Sequence, residues 1–289
     1  MLMKRTGAAA ARRGLGAAHM VGPMLLLVPE ATLLASLLCA YWALGGPPLI
    51  GLLVMLLIIS FIARTLALTG ARVAHEKARL READVLVQIA LALYPWSADA
   101  LALRGVIALS NCRAAAAEAD LRRAIGLLPG QPGFHAALAG ALLALDRPSE
   151  AAAAARHALA LADDYAIAHL YLAEAEQAGG APAQEVEERL RAGLSVALAP
   201  ASEAVLRCAL GAHLLAEHRL AEATLTLHGA EALVSRCSPS RQLELRVRLG
   251  ELMIAQGQIE RAREQFRSVA ELDPGGRYTG AAWRASHLR

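Results

Sequence analysis

Two histidines and an arginine recur in one column of this chain. His135 and His169 lie about 34 residues apart, and Arg207 follows at nearly the same interval. If the stretches that carry them stack as like units, neighbouring side chains come to about 10 Å, one helix spacing. Such a polar ladder could accept a ligand carboxylate or supply hydrogen bonds between units; the second reading is the simpler. Other candidates offer less. His75-Glu76-Lys77 has no second histidine at metal spacing, and His213 and His218 are at the wrong offset to share a helix face. Gly14-Leu15-Gly16 lacks the third glycine and the preceding strand of a phosphate-binding loop. Cys39, Cys112, Cys208 and Cys237 are far apart and form no Cys-x-x-Cys pair, so they read as buried free thiols. No catalytic residue, cofactor or metal ligand is expected. An enzyme would need convergent titratable groups in a pocket, which no motif supplies.

Glu30 and Arg64 are charges set in apolar surroundings. Residues 24–44 form one apolar run, broken only by Pro29 and Glu30, and residues 49–69 form a second, whose charge is Arg64. Each is long enough to cross about 30 Å of hydrocarbon as a helix. Gly45, Gly46, Pro47 and Pro48 separate them with a tight uncharged turn, so the two helices must be antiparallel. Lys4, Arg5, Arg12 and Arg13 precede the first run, and Arg72, Lys77, Arg79 and Arg81 follow the second. That bias turns the hairpin tip outward and keeps both chain ends in the cytoplasm. Counted from the turn, Glu30 and Arg64 both lie about 25 Å down their helices. They are read as a pair, or as two snorkelling side chains, at the cytoplasmic boundary of a bacterial inner membrane. The rest of the chain is mildly acidic, which argues against nucleic-acid binding.

The segments that follow repeat. Gly105, Ala139 and Ala173 are evenly spaced, as are Ala117 and Ala151, and Ala124 and Ala158. A period of about 34 with small residues at fixed offsets marks a solenoid of helix pairs. The abundance of Ala and Leu favours helix throughout. Units begin near Ala98, Pro132 and Ala166; a fourth carries Leu210, Gly211, Leu214, Ala223, Leu227 and Ala230. The fifth shows Leu249, Gly250, Gly257, Ala262, Phe266, Leu272, Asp273 and Pro274. In these residues the chain resembles the tetratricopeptide repeat family, although Arg104 stands where that family expects Leu. The organisation expected is a basic segment over 1–23, the hairpin over 24–69, a connecting helix or half-repeat over 70–96, and five units with a capping helix over 97–289. The connecting helix should run on from the second membrane helix, since no breaker lies between Ala71 and Tyr94.

The resemblance implies an all-α, right-handed solenoid whose first helices line a concave groove. Its columns here would be Val106 and Leu109; Gly140 and Leu143; Leu170 and Glu174; Ala212 and Leu215; Val247 and Glu251. These are small and aliphatic, with none of the Lys, Arg and Asn that some relatives use to hold a peptide's carboxylate. The partner implied is a protein offering an apolar peptide or helix. The chain is thus read as a membrane-anchored interaction scaffold with no enzymatic role. A constitutive subunit of a membrane complex is the first alternative, and an enzyme with an unrecognised site the second.

Overall fold

A computed structural model describes residues 48–273 throughout, with Ser36, residues 38–43, 45, 46, 278, 280 and 287. The basic N-terminal segment, Glu30, most of the first apolar run and most of the expected capping helix lie outside the described residues. Ser36 and residues 38–43 are helical. The chain divides into two units, Met1–Leu66 and Ala67–Arg289.

The helix α1 (Pro48–Glu76) begins in the first unit, where it exposes Leu49, Leu52, Leu53, Met55, Leu56, Ile58, Ile59 and Ile62. A helix apolar on all sides belongs in a core or in lipid. It is the one helix among the described residues that is long and apolar enough to cross a membrane. Arg64 is buried, and its guanidinium lies 5.7 Å from the Phe61 ring centroid.

The second unit is all helix among the described residues. It continues from the last turns of α1 through α2 (Leu80–Leu93), α3 (Ala98–Ser110), α4 (Ala114–Leu127), α5 (Pro132–Leu143) and α6 (Pro148–Leu161). Then come α7 (Ala166–Ala178), α8 (Ala183–Val196), α9 (Pro200–Ala216), α10 (Leu220–Val234), α11 (Pro239–Ala255) and α12 (Ile259–Leu272). From α3 onward each helix packs on the next, and first helices also touch first helices of the neighbouring pair. Such an arrangement is a solenoid.

A glycine and a large side chain lock the pairs. A Cβ on Gly105 would stand 2.8 Å from Leu121 Cγ, and one on Gly250 would stand 2.7 Å from Phe266 Cζ. Gly211 faces Leu227 in the same way. Gly70 faces Leu86 at the same sequence offset. Ala67, Ala71 and Ala74 share a buried cluster with Ala83, Val87 and Ala90. The first repeat is therefore a full helix pair whose first helix is the end of α1, where the sequence predicts a half-repeat.

The predicted unbroken helix from Ala71 to Tyr94 is also corrected. Ala78 adopts φ 62° and ends α1 at a turn. Every later pair turns the same way, through Cys112, Asp146, Gly180, His218 and Gly257, all with positive φ. The next N–H reaches back to a carbonyl five residues earlier, as in Arg79 to Ala74 at 2.8 Å and Arg147 to Leu142 at 3.0 Å. This is the Schellman closure of a helix C-terminus. Forcing a non-glycine residue left-handed costs about 1 kcal/mol, which the packing of the pair offsets. Cys112, at one of these turns, is exposed, as is Cys39, whereas Cys208 and Cys237 are buried.

The arginines after these turns tie unit to unit. Arg147 pairs with Glu118 of the preceding pair at 2.8 Å and with Glu150 of its own. Arg219 repeats the pattern with Glu187 and Glu222, and Arg113 reaches Asp84. Arg104, the departure from the repeat pattern, meets the buried Asp120 through two hydrogen bonds of 2.5 and 2.7 Å. That carboxylate holds the Arg104 pKa above its ordinary value.

One buried polar group is left without a counterpart. His213 is 4% exposed, and neither ring nitrogen has a hydrogen-bond partner among the described residues. A buried donor without a partner costs about 1 kcal/mol or more. His213→Leu is expected to raise the thermal midpoint of the full chain in detergent. An unchanged or lowered midpoint would contradict that burial.

Candidate functional site

The first helices and their turns enclose a cavity of about 850 Å³ within the second unit. The end of α1 supplies His75, α3 and its turn supply Val106, Leu109, Ser110 and Asn111, and α7 supplies Tyr171. Arg79 and Arg81 come from the first turn and the start of α2. From far along the chain, Ser238, Ser240, Arg241 and Glu244 close the other side. The coil of the solenoid brings the start of α11 opposite the first pair.

Local bonds fix this lining. His75 Nε2 is 3.0 Å from Ser110 Oγ. Arg241 pairs with Glu244 at 2.6 Å, and Arg79 with Glu82 at 3.4 Å. Arg81 lines the cavity and makes no ion pair among the described residues. Tyr171 lays its ring over Gly140, where a Cβ would be 2.9 Å from Tyr171 Cζ. Burial, with Glu174 nearby, pushes the Tyr171 phenol up to about 12, so it stays neutral. Burial likewise pushes the Cys208 thiol up to about 12, which makes it unreactive at neutral pH.

Of the predicted groove columns, Val106 and Leu109 line the cavity. Gly140 is covered by Tyr171, and Leu170 is buried in the core. Leu143, Leu215 and Val247 are half-buried against the core clusters. Ala212 is half-buried and Glu251 exposed. Glu174 accepts from Arg248, two repeats on, at 3.1 Å. The cavity thus mixes the aliphatic side chains of Leu80, Val106, Leu109 and Leu243 with hydroxyls, an amide and charges of both signs. Sequence columns missed Arg79, Arg81 and Arg241 because they come from turns and a helix start, not from first-helix faces.

The predicted ladder resolves into local bonds. His135 Nε2 lies 2.9 Å from the Pro129 carbonyl, and His169 Nε2 lies 3.2 Å from the Asp163 carbonyl. Both brace the loop that enters their own helix. His135 also stacks on His157, with ring centroids 5.8 Å apart, beside a second hollow of about 420 Å³ between α4 and α6. Arg207 instead pairs with Glu203 and covers Gly229. Among the described residues no group of three or more His, Cys, Asp or Glu side chains could hold a metal ion.

No family model matches the sequence, and no curated protein does. Solved structures do. A tetratricopeptide repeat protein from Parabacteroides merdae is 16% identical, aligns over 89% of this chain and 91% of its own, and superposes with a TM-score of 0.57. PilF of Pseudomonas aeruginosa is 17% identical over 78% of this chain and 99% of its own, with a TM-score of 0.48. A thermophilic tetratricopeptide repeat protein from Thermus thermophilus is 18% identical over 76% of this chain and 99% of its own, with a TM-score of 0.46. The first likeness establishes the fold: a helical solenoid of the tetratricopeptide type.

Proposed function

We propose that the chain is a membrane-anchored interaction scaffold that holds a protein partner in the concave cavity of its solenoid. The observation that carries this reading is that cavity, about 850 Å³, with Val106 and Leu109 on its wall. An apolar peptide or helix would bury a side chain against Val106 and Leu109 and set one carboxylate against Arg81. The tetratricopeptide-type fold and the long apolar α1 support the reading. Two membrane helices, both ends of the chain in the cytoplasm, and a Glu30–Arg64 pair at the boundary belong to the same proposal. Anchoring raises the effective concentration of partners that share the membrane.

Reporter fusions after Arg13 and after Arg289 are expected to read cytoplasm; an outward signal from either sinks the topology. Val106→Glu replaces the apolar wall against which the partner's side chain would be buried with a carboxylate that must be desolvated. It is expected to abolish co-purification of the partner in mild detergent while the helical signal and thermal midpoint hold. Retained capture by a folded Val106→Glu protein would remove the cavity from the account.

A further inference from the structure

We propose that the turn between α2 and α3 is a lipid-contacting tip: Leu93 and Trp96, with Ile89 and Val85 behind them, seat in the boundary between headgroups and acyl chains of the membrane that α1 crosses. This rests on the membrane reading given above.

From Val85 to Ala98 the chain carries no charge. Burial of Val87, Ala90 and Leu91 in the solenoid core accounts for one face of α2. The other face is apolar and open: Val85 is 57% exposed, Ile89 46%, Leu93 39% and Trp96 68%. Val85, Ile89 and Leu93 follow at four-residue steps, which sets them on one stripe. The end of a solenoid ordinarily turns a polar face outward, because no neighbouring repeat covers it. Here the first repeat turns an apolar one.

Composition selects lipid as the occupant. Leu86 packs over Gly70, so α2 runs antiparallel to residues 67–76. From Leu86 the chain continues to Trp96, a reach of about 15 Å, in the direction of Ala67 and away from Glu76. The basic residues Arg79 and Arg81 lie at the opposite end of α2, away from this tip. The tip itself ends in two aromatics, Tyr94 and Trp96, edge to face with centroids 6.4 Å apart. Tyr and Trp side chains, apolar in body with one polar atom, concentrate at membrane interfaces.

The test uses the full chain. Trp42→Phe with Trp283→Phe leaves Trp96 as its one tryptophan. The protein is reconstituted into vesicles of phosphatidylethanolamine and phosphatidylglycerol, with and without acyl chains brominated near the headgroup. Retention through alkaline extraction is scored in parallel. The expected result is a blue-shifted Trp96 emission, quenched by the brominated lipid and shielded from iodide. Iodide-accessible, water-like emission from a chain that resists extraction overturns the tip alone. So does blue-shifted emission indifferent to bromine, which would mean that protein, such as a second copy of this chain, covers the stripe. A chain released by alkaline extraction overturns the tip and the membrane reading together.

Discussion

Gly250→Leu is expected to unfold the last helix pair while the others hold. The Cβ alone would sit 2.7 and 2.9 Å from Phe266 Cζ and Cε1, and Phe266 is fully buried. A phenyl ring in a close-packed seam cannot retreat without opening it. Overpacking of this kind costs about 3 kcal/mol. Each pair leans chiefly on its neighbours, so the loss should stay local. Hydrogen exchange of the full chain should lose protection across α11 and α12 and keep it from α3 to α8. A uniform loss would mean the solenoid unfolds as one body. Gly126→Ala is the control, since nothing lies within 4 Å of its Cβ position in the last turn of α4.

The second large effect concerns Arg104 and Asp120. Asp120→Ala strips a guanidinium of its partner in a site where Asp120 is 7% exposed. Breaking such a pair costs about 3 kcal/mol when both charges are buried, and Arg104 is partly open to solvent, so about 2 kcal/mol is expected. Arg104→Leu leaves the buried carboxylate alone and should be the more damaging single change. Arg104→Leu with Asp120→Ala together should recover most of the loss, because no charge is left alone. Thermal midpoints of the four proteins form a double-mutant cycle. Additive losses would show that the pair contributes no coupling.

Much of the solenoid was legible because its chemistry is local. Small residues at a fixed period mark helix seams, and Leu249, Gly250 and Phe266 mark them again with larger side chains. The first pair was harder. Gly70 and Leu86 carry the same offset as Gly105 and Leu121, but Gly70 follows an apolar run that reads as membrane helix. The turn at Ala78 left no local mark, since alanine is the best helix former and only tertiary packing holds it left-handed. The cavity was legible in part. Val106 and Leu109 lie on a first-helix face and follow the repeat; Arg241 joins them only through the coil of the whole solenoid, which no spacing encodes. The Arg104–Asp120 pair was visible as a departure from the repeat pattern, without a signal for its partner.

Photocrosslinking in living cells reports directly on partner binding in the concave cavity. A photoreactive amino acid replaces Asn111 or Ser240, which line the cavity from two ends of the chain, or Arg156, exposed on α6 away from it. One and the same adduct is expected from Asn111 and Ser240 and none from Arg156. An adduct from Arg156 with the two cavity positions silent would contradict binding in the cavity.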